Sequence, residues 1–187
     1  MDIAQFRLVQ IDQDTQIPPF QCSEEELNGF LHDDAKRYHV DLLAVTYLLL
    51  DIHNQHTVAY YSLLADKISF DSENKKVWNQ LNRRIPNRKR RKSYPALKIG
   101  RLAVDSQYAN MGIGRTIVDS IMFAFTHSKR LGCRFVTVDA LSSATAFYGK
   151  CGFKFFSEKD AKSQTRLMFF DLKNFSDALQ TKGKTDA

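Results

Sequence analysis

The chain has 187 residues, 43% hydrophobic and 26% charged, a balance that suits one domain with a full core and excludes a disordered chain. Its longest apolar run, "LLAVTYLLL" at 42–50, falls short of the ~20 residues that cross a bilayer, and "MDIAQFRLVQ" lacks a charged-then-apolar leader, so a cytoplasmic protein without membrane contact is expected. The formal charge of +6 is localised: "RRIPNRKRRK" at 83–92 holds seven basic residues and no acid, leaving 20 basic against 21 acidic residues elsewhere, net −1.

In chain order, "FRLVQI" (6–11) predicts a first strand. A helix over 22–39 follows, with Ser23 as N-cap, Glu26 completing a capping box, and Leu27, Phe30, Leu31 and Tyr38 on one face. "LLAVTYLLLDI" (42–52) and "TVAYYSLLADKI" (57–68) flank the short "HNQH" and predict an antiparallel hairpin. A short helix over 72–84 leads into the basic insertion at 83–92, and "ALKIGRLAVD" (96–105) is the next strand. Helix 114–131 puts Ile117, Ile121, Ala124 and Phe125 on an apolar stripe. A buried strand at 133–141, a helix from 142 to Gly152 and a final strand pair, "FKFFSE" and "TRLMFFDL", complete an α/β (α+β) domain over 1–173: a mixed central sheet with helices on both faces. Residues 174–187 read as a polar tail that frays.

Cys22, Cys133 and Cys151 are odd in number and lack CxxC spacing, which suits reduced thiols rather than a disulfide or metal site. His53 and His56 form an HxxH on a turn, without helical spacing, and read as surface loop; His32 and His39 lack a third ligand.

"YANMGIGRTI" (108–117) joins a strand to a helix through Gly112 and Gly114. A dinucleotide fingerprint would need a glycine at Ile117, and a P-loop needs Gly-Lys-Ser/Thr, so neither fits. A helix N-terminus remains, with the amides of Met111, Gly112, Ile113, Gly114, Arg115 and Thr116 facing one way and about half a positive charge to offer a pyrophosphate.

With "LAVD" before this turn and "AFYGKCGF" (146–153) after the next strand, the chain resembles the GNAT superfamily of acyl-CoA-dependent N-acetyltransferases. The resemblance is strongest from Ile99 to Phe155, although Ala109 stands where the family's phosphate motif carries Gln or Arg. Within the family, "GRLAVD…GIGR…VDAL…AFYxxxGF" is most similar to toxin members that acetylate aminoacyl-tRNA. The resemblance implies acetyl-CoA as co-substrate, no metal, and tRNA, a small antitoxin protein and a second copy of the chain as candidate partners. It implies that Leu102, Ala103 and Val104 pair with the pantetheine and polarise the acetyl carbonyl, that residues 111–116 take the pyrophosphate, and that Tyr148 is the general acid. Ser143 and Lys150 are further candidate cofactor contacts.

The general base stays open. Residues 96–104 contain no acid, and Asp139, Asp66 or a water chain are the alternatives. Arg101 suits a phosphate on the acceptor and would repel an ammonium. Deprotonating a lysine at pH 7 costs about 4.6 kcal/mol and an α-amine about 1 kcal/mol, so a site without a carboxylate favours a low-pKa amine such as that of an aminoacyl ester. Arg88, Lys89, Arg90 and Arg91 then become candidate acceptor contacts through phosphate, against a solvated insertion. Acetylation of a protein or small-molecule amine, and a non-catalytic acyl-CoA- or RNA-binding module, are the competing functions.

Overall fold

The structure is a computed structural model that describes residues 5–86, 88, 90–127 and 132–182. The chain divides into two compact units, residues 1–64 with 99–118 and residues 65–98 with 119–187.

In the first unit, β1 (Phe6–Gln10) pairs antiparallel with β2 (Val45–Asp51). β2 pairs antiparallel with β3 (His56–Ser69), as the short turn between them dictates, with a register shift at Leu49/Leu50. Tyr47 and Tyr61 face each other across this pair, their rings stacked at 5.1 Å. The predicted long helix is composite: α1 (Glu25–Gly29), a π-helical stretch Phe30–Asp34, and α2 (Ala35–Val40). The Ala35 amide donates to the Phe30 carbonyl, five residues back, which is the signature of the wider turn. Leu27, Phe30, Leu31, Ala35 and Tyr38 pack with Leu48, Tyr60 and Ala103 of the strands. That is the apolar face the sequence predicts.

Ser23 does not cap this helix. The cap position is Glu24, with no side-chain cap bond. Buried Asn28 instead reaches back, accepting from the Cys22 amide at 2.8 Å and donating to the Cys22 carbonyl at 3.0 Å. A side chain able both to donate and to accept fixes the entering segment better than a lone hydroxyl.

The second unit holds α3 (Lys75–Asn82), the first half of β4 (Ser93–Val104), β5 (Phe135–Leu141), α5 (Thr145–Lys150), β6 (Lys154–Phe155), β7 (Thr165–Asp171) and α6 (Leu172–Lys182). β5 runs parallel to β4, with Ala96 opposite Phe135, and antiparallel to β7, which also pairs with β6. An aromatic core of Trp78, Tyr94, Phe135, Phe156 and Phe169 joins α3 to these strands. β4 starts at Ser93, three residues before the predicted strand, because exposed Pro95 is accommodated within it ahead of the first β5 pair. α6 occupies the first part of the segment expected to fray. Asp171 nucleates it by accepting from the Lys173 amide at 3.0 Å while gripping the Arg134 guanidinium through two bonds of 2.6 and 2.9 Å.

The seven strands form one mixed sheet in the order β1-β2-β3-β4-β5-β7-β6. α4 (Ile113–His127) buries Ile117, Val118, Ile121 and Met122, whereas Ala124, placed on its stripe by the periodicity, is exposed. Residues 128–131, predicted to extend this helix, lie outside the described residues.

Candidate active site

Along the part of β4 in the first unit, Ile99 and Ala103 are buried, and Asp105 just past its end continues the alternation expected of a sheet with one covered face. Arg101 shares that face and its guanidinium lies 4.9 Å from the Phe30 ring centre. One terminal nitrogen contacts Glu26 Oε1 at 2.7 Å and the other donates to the Gly100 carbonyl at 2.8 Å. Its Nε is buried without a partner among the described residues. The pairing with Glu26 offsets the charge that made Arg101 a phosphate candidate. Leu102 and Val104 are half-buried on the opposite face.

Beyond β4 the chain is fixed by one carboxylate. Asp105 accepts from the Gln21 amide at 2.8 Å, the Gln107 amide at 2.9 Å and His56 Nε2 at 3.0 Å. Burial opposes its ionisation, but these donors outweigh burial and hold its carboxyl below the ordinary value. Tyr108 stacks on His56 with ring centres 6.0 Å apart and donates its hydroxyl to Asp51 Oδ2 at 3.2 Å. Backbone bonds from Tyr108 to Asp105 and from Ala109 to Ser106 carry the chain round a single turn of 3-10 helix.

The turn then opens. Asn110 has φ 62° and Gly112 φ 80°, both left-handed, and a Cβ built on Gly112 would meet nothing within 4 Å. The strain of a side chain there is therefore conformational, and the space above the glycine is empty. The Thr116 amide bonds to the Gly112 carbonyl at 3.1 Å, so the amides of Ile113 and Gly114 belong to the first turn, ahead of the helical ladder. Met111, Gly112, Arg115 and Thr116 are exposed, and Ile113 buries its side chain and anchors the helix end. A left-handed glycine, open space and first-turn amides fit a pyrophosphate.

In the second unit, Tyr148 lies on α5 and is only 6% exposed, its ring set edge-on to Phe147 at 5.0 Å and Phe153 at 5.4 Å. Burial, with a smaller contribution from Cys151, pushes its phenol far above the ordinary value, so the proton stays on the oxygen across the physiological range. The motif's second glycine has a steric role. Gly152, at φ 89°, closes α5, and a Cβ there would meet the Phe170 ring at 3.0 Å. Ser143 and Lys150 are exposed. Two of the alternative bases are occupied: Asp66 accepts from Thr137 Oγ1 at 2.6 Å, and Asp139 pairs with Lys98.

In the basic stretch, Arg88, Arg90 and Arg91 are exposed, and Lys89 lies outside the described residues. Arg90 has a structural task, its Nε donating to the Asn82 and Ile85 carbonyls at 3.1 and 3.2 Å at the end of α3. Tyr94 accepts from the Arg91 amide at 3.0 Å and donates to Asn82 Oδ1 at 2.8 Å. The hollow lined by Phe125, Gly132, Cys133, Arg134 and Leu172 contains none of the predicted site residues.

Two features escaped the sequence. Glu26, assigned to a capping box, pairs with Arg101, and His56, assigned to a surface turn, supports Asp105. The sole available signal was the strand parity that placed Arg101 and Asp105 on one face. Among the described residues, no group of three or more His, Cys, Asp or Glu could hold a metal ion, and no helix is long and apolar enough to cross a membrane.

Residues 78–155 match the family model of the acetyltransferase (GNAT) domain. Solved structures share the whole fold. A tyrosine-to-phenylalanine mutant of KacT is 25% identical with a TM-score of 0.74, covering 93% of this chain and 99% of its own. AtaT complexed with acetyl-methionyl-tRNAfMet is 24% identical with a TM-score of 0.73, at the same coverage of 93% and 99%. A mutant AtaT toxin bound to acetyl-CoA and the C-terminus of the antitoxin AtaR is 23% identical with a TM-score of 0.71, covering 91% and 95%.

Proposed function

We propose that this chain, which carries a GNAT acetyltransferase domain over residues 78–155, is an acetyl-CoA-dependent N-acetyltransferase whose acceptor is the α-amine of an aminoacyl-tRNA. The observation that carries the first half is the open, left-handed turn at Gly112 leading into the N-terminus of α4. Acetyl-CoA supplies an activated thioester. The amides from Met111 to Thr116 hold its pyrophosphate, and the backbone of Leu102, Ala103 and Val104 pairs with its pantetheine arm and polarises the acetyl carbonyl. Ser143 and Lys150 add contacts of lesser weight. The acceptor nitrogen bonds to the acetyl carbon as the carbon–sulfur bond breaks. The amine's surplus proton leaves to water, the thiolate takes the Tyr148 proton, and water returns a proton to the Tyr148 phenolate, so no net proton is gained or lost. A phenol kept neutral by burial holds that proton at any working pH.

Two observations support the acceptor. Asp66 and Asp139, the two carboxylates considered as bases, already have partners in Thr137 and Lys98, and a site without a carboxylate base favours an amine of low pKa. The exposed arginines 88, 90 and 91, with Lys89, suit tRNA phosphates. AtaT, alike in fold, has been captured with acetyl-methionyl-tRNAfMet and with the C-terminus of the antitoxin AtaR. A small antitoxin partner and the cytoplasm, where three free cysteines stay reduced, belong to this proposal.

The test supplies labelled acetyl-CoA with bulk aminoacyl-tRNA, a peptide pool and polyamines. Label should enter aminoacyl-tRNA, and Tyr148→Phe should lower kcat by ~10²-fold with little change in acetyl-CoA affinity. Label confined to peptides or polyamines would overturn the acceptor, and wild-type kcat in the variant would return Tyr148 to the core.

A further inference from the structure

His56 is 49 residues from Asp105 in sequence, yet its ring meets the one carboxylate that fixes the chain just ahead of the phosphate turn. Asp105 is 2% exposed at its side chain and His56 17%. Because a carboxylate only accepts, the Nε2 of His56 carries the proton of this bond. Asp105 holds three donors from three segments: the amide of Gln21, the amide of Gln107 and the imidazole. The other face of the same imidazole carries the Tyr108 ring, whose hydroxyl is tied to Asp51. Asp51 is itself fixed by the amides of His53 at 2.9 Å and Asn54 at 3.2 Å. His56 therefore contacts both ends of the Asp105–Tyr108 turn, one through a hydrogen bond and the other through stacking. Four residues after Tyr108 comes Gly112.

We infer that His56 is a positioning residue for the phosphate-binding turn, acting through Asp105 and Tyr108 and never touching the cofactor. The inference rests on the acetyl-CoA reading above. The amides from Met111 to Thr116 can receive a pyrophosphate only when the chain leaves β4 in one direction, and residues 109–112 contain two left-handed positions, Asn110 and Gly112, whose course depends on how the chain enters them. The rigid part lies upstream, where one buried carboxylate and one imidazole decide the path. Loss of His56 removes a donor from Asp105 and the platform beneath Tyr108 together. The turn then samples several exits, and binding of the diphosphate weakens by the fraction of time spent elsewhere.

The experiment measures coenzyme A binding by calorimetry, and KM and kcat for acetyl-CoA, in the full chain. In His56→Ala, coenzyme A should bind at least 10-fold more weakly, with KM rising in step and kcat at saturation within about 3-fold of wild type. His56→Gln, whose side-chain amide can reach Asp105 in place of Nε2, should recover most of the affinity. Tyr108→Phe, which deletes one hydroxyl and keeps the stack, should cost about 3-fold and serves if His56→Ala is poorly folded. Amides of residues 106–116 should exchange faster in His56→Ala, with β5 and β7 protected as before. A variant that loses melting temperature but keeps wild-type coenzyme A affinity would overturn the inference, and so would a fall in kcat at unchanged KM. A wild-type protein that binds no coenzyme A would remove the acetyl-CoA reading itself, an outcome distinct from wild-type binding that His56→Ala leaves intact.

Discussion

Two connections lead out of regular elements in this chain, and they solve opposite problems. The turn from β4 into α4, residues 105–112, exposes its backbone at Gly112 and hides the side chain that supports it, Asp105. The stretch from α3 into β4 exposes Arg83, Arg84, Arg88, Arg90 and Arg91 and ties down its backbone through Arg90, Tyr94 and buried Ile85. A ligand read by amides needs a fixed main chain whatever the local side chains are. A ligand read by charge needs only that arginines stand in water on a tethered segment. Substitutions should therefore act differently in the two places, through backbone shape in the first and through charge count in the second.

The largest effect belongs to Gly112. Gly112→Glu puts negative charge over the first-turn amides, and acetyl-CoA affinity should fall by ~10²-fold or more in calorimetry. Gly112→Ala separates strain from charge: about 1–2 kcal/mol of stability should be lost by urea melts, with affinity down less than 10-fold. If both variants lost affinity equally, the turn would act by shape alone.

In the basic stretch, replacing Arg88, Lys89, Arg90 and Arg91 by serine should lower kcat/KM for aminoacyl-tRNA by ~10-fold and flatten its salt dependence, since fewer counterions are released. Coenzyme A binding should hold. An unchanged salt slope would make the stretch a solvated face.

A smaller effect divides this cluster internally. Arg90→Ser loses bonds to two carbonyls and should cost about 0.5–1.5 kcal/mol in chemical denaturation. Arg88→Ser, a change at an exposed side chain, should stay within about 0.5 kcal/mol. Equal costs would mean that Arg90 is no anchor.

The subtlest is a pH dependence. The folded Asp105 carboxyl lies below its unfolded value of about 3.9, so its contribution is present above that value and is lost as pH falls through the folded one. The stability gap between wild type and Asp105→Asn should be widest at neutral pH and shrink below pH ~4. A gap that stays constant down to acid would assign the loss to packing.

Periodicity found the helices because each has one covered face, β5 stood out as an apolar run because consecutive residues of it are buried, and the glycine turn was found because φ above zero selects glycine. It misjudged the ends. A residue reaching back, as Asn28 does to Cys22, leaves no local pattern, and α6 rises from an Asp171 whose second role is to hold Arg134. It also passed over His56, since nothing in "HNQHT" records a carboxylate 49 residues later. The motif marks where a cofactor touches, whereas the groups that aim the motif are brought to it by sheet pairing.

The widened turn at Phe30–Asp34 bears on how this chain tolerates changes in length. A bond spanning five residues instead of four stores one residue more than a regular helix needs, and does so without rotating the turns on either side. Removing Asp33 or Asp34, both exposed, would let the bond from Ala35 shorten to the ordinary span while Leu27, Leu31 and Tyr38 keep their places against the sheet. The same deletion two turns earlier or later would swing everything beyond it by about 100° and pull that face out of register. Homologous chains one residue shorter between Glu25 and Val40 should carry their gap here, and a single-residue deletion scan of that helix read by melting temperature should find its forgiving window at these aspartates.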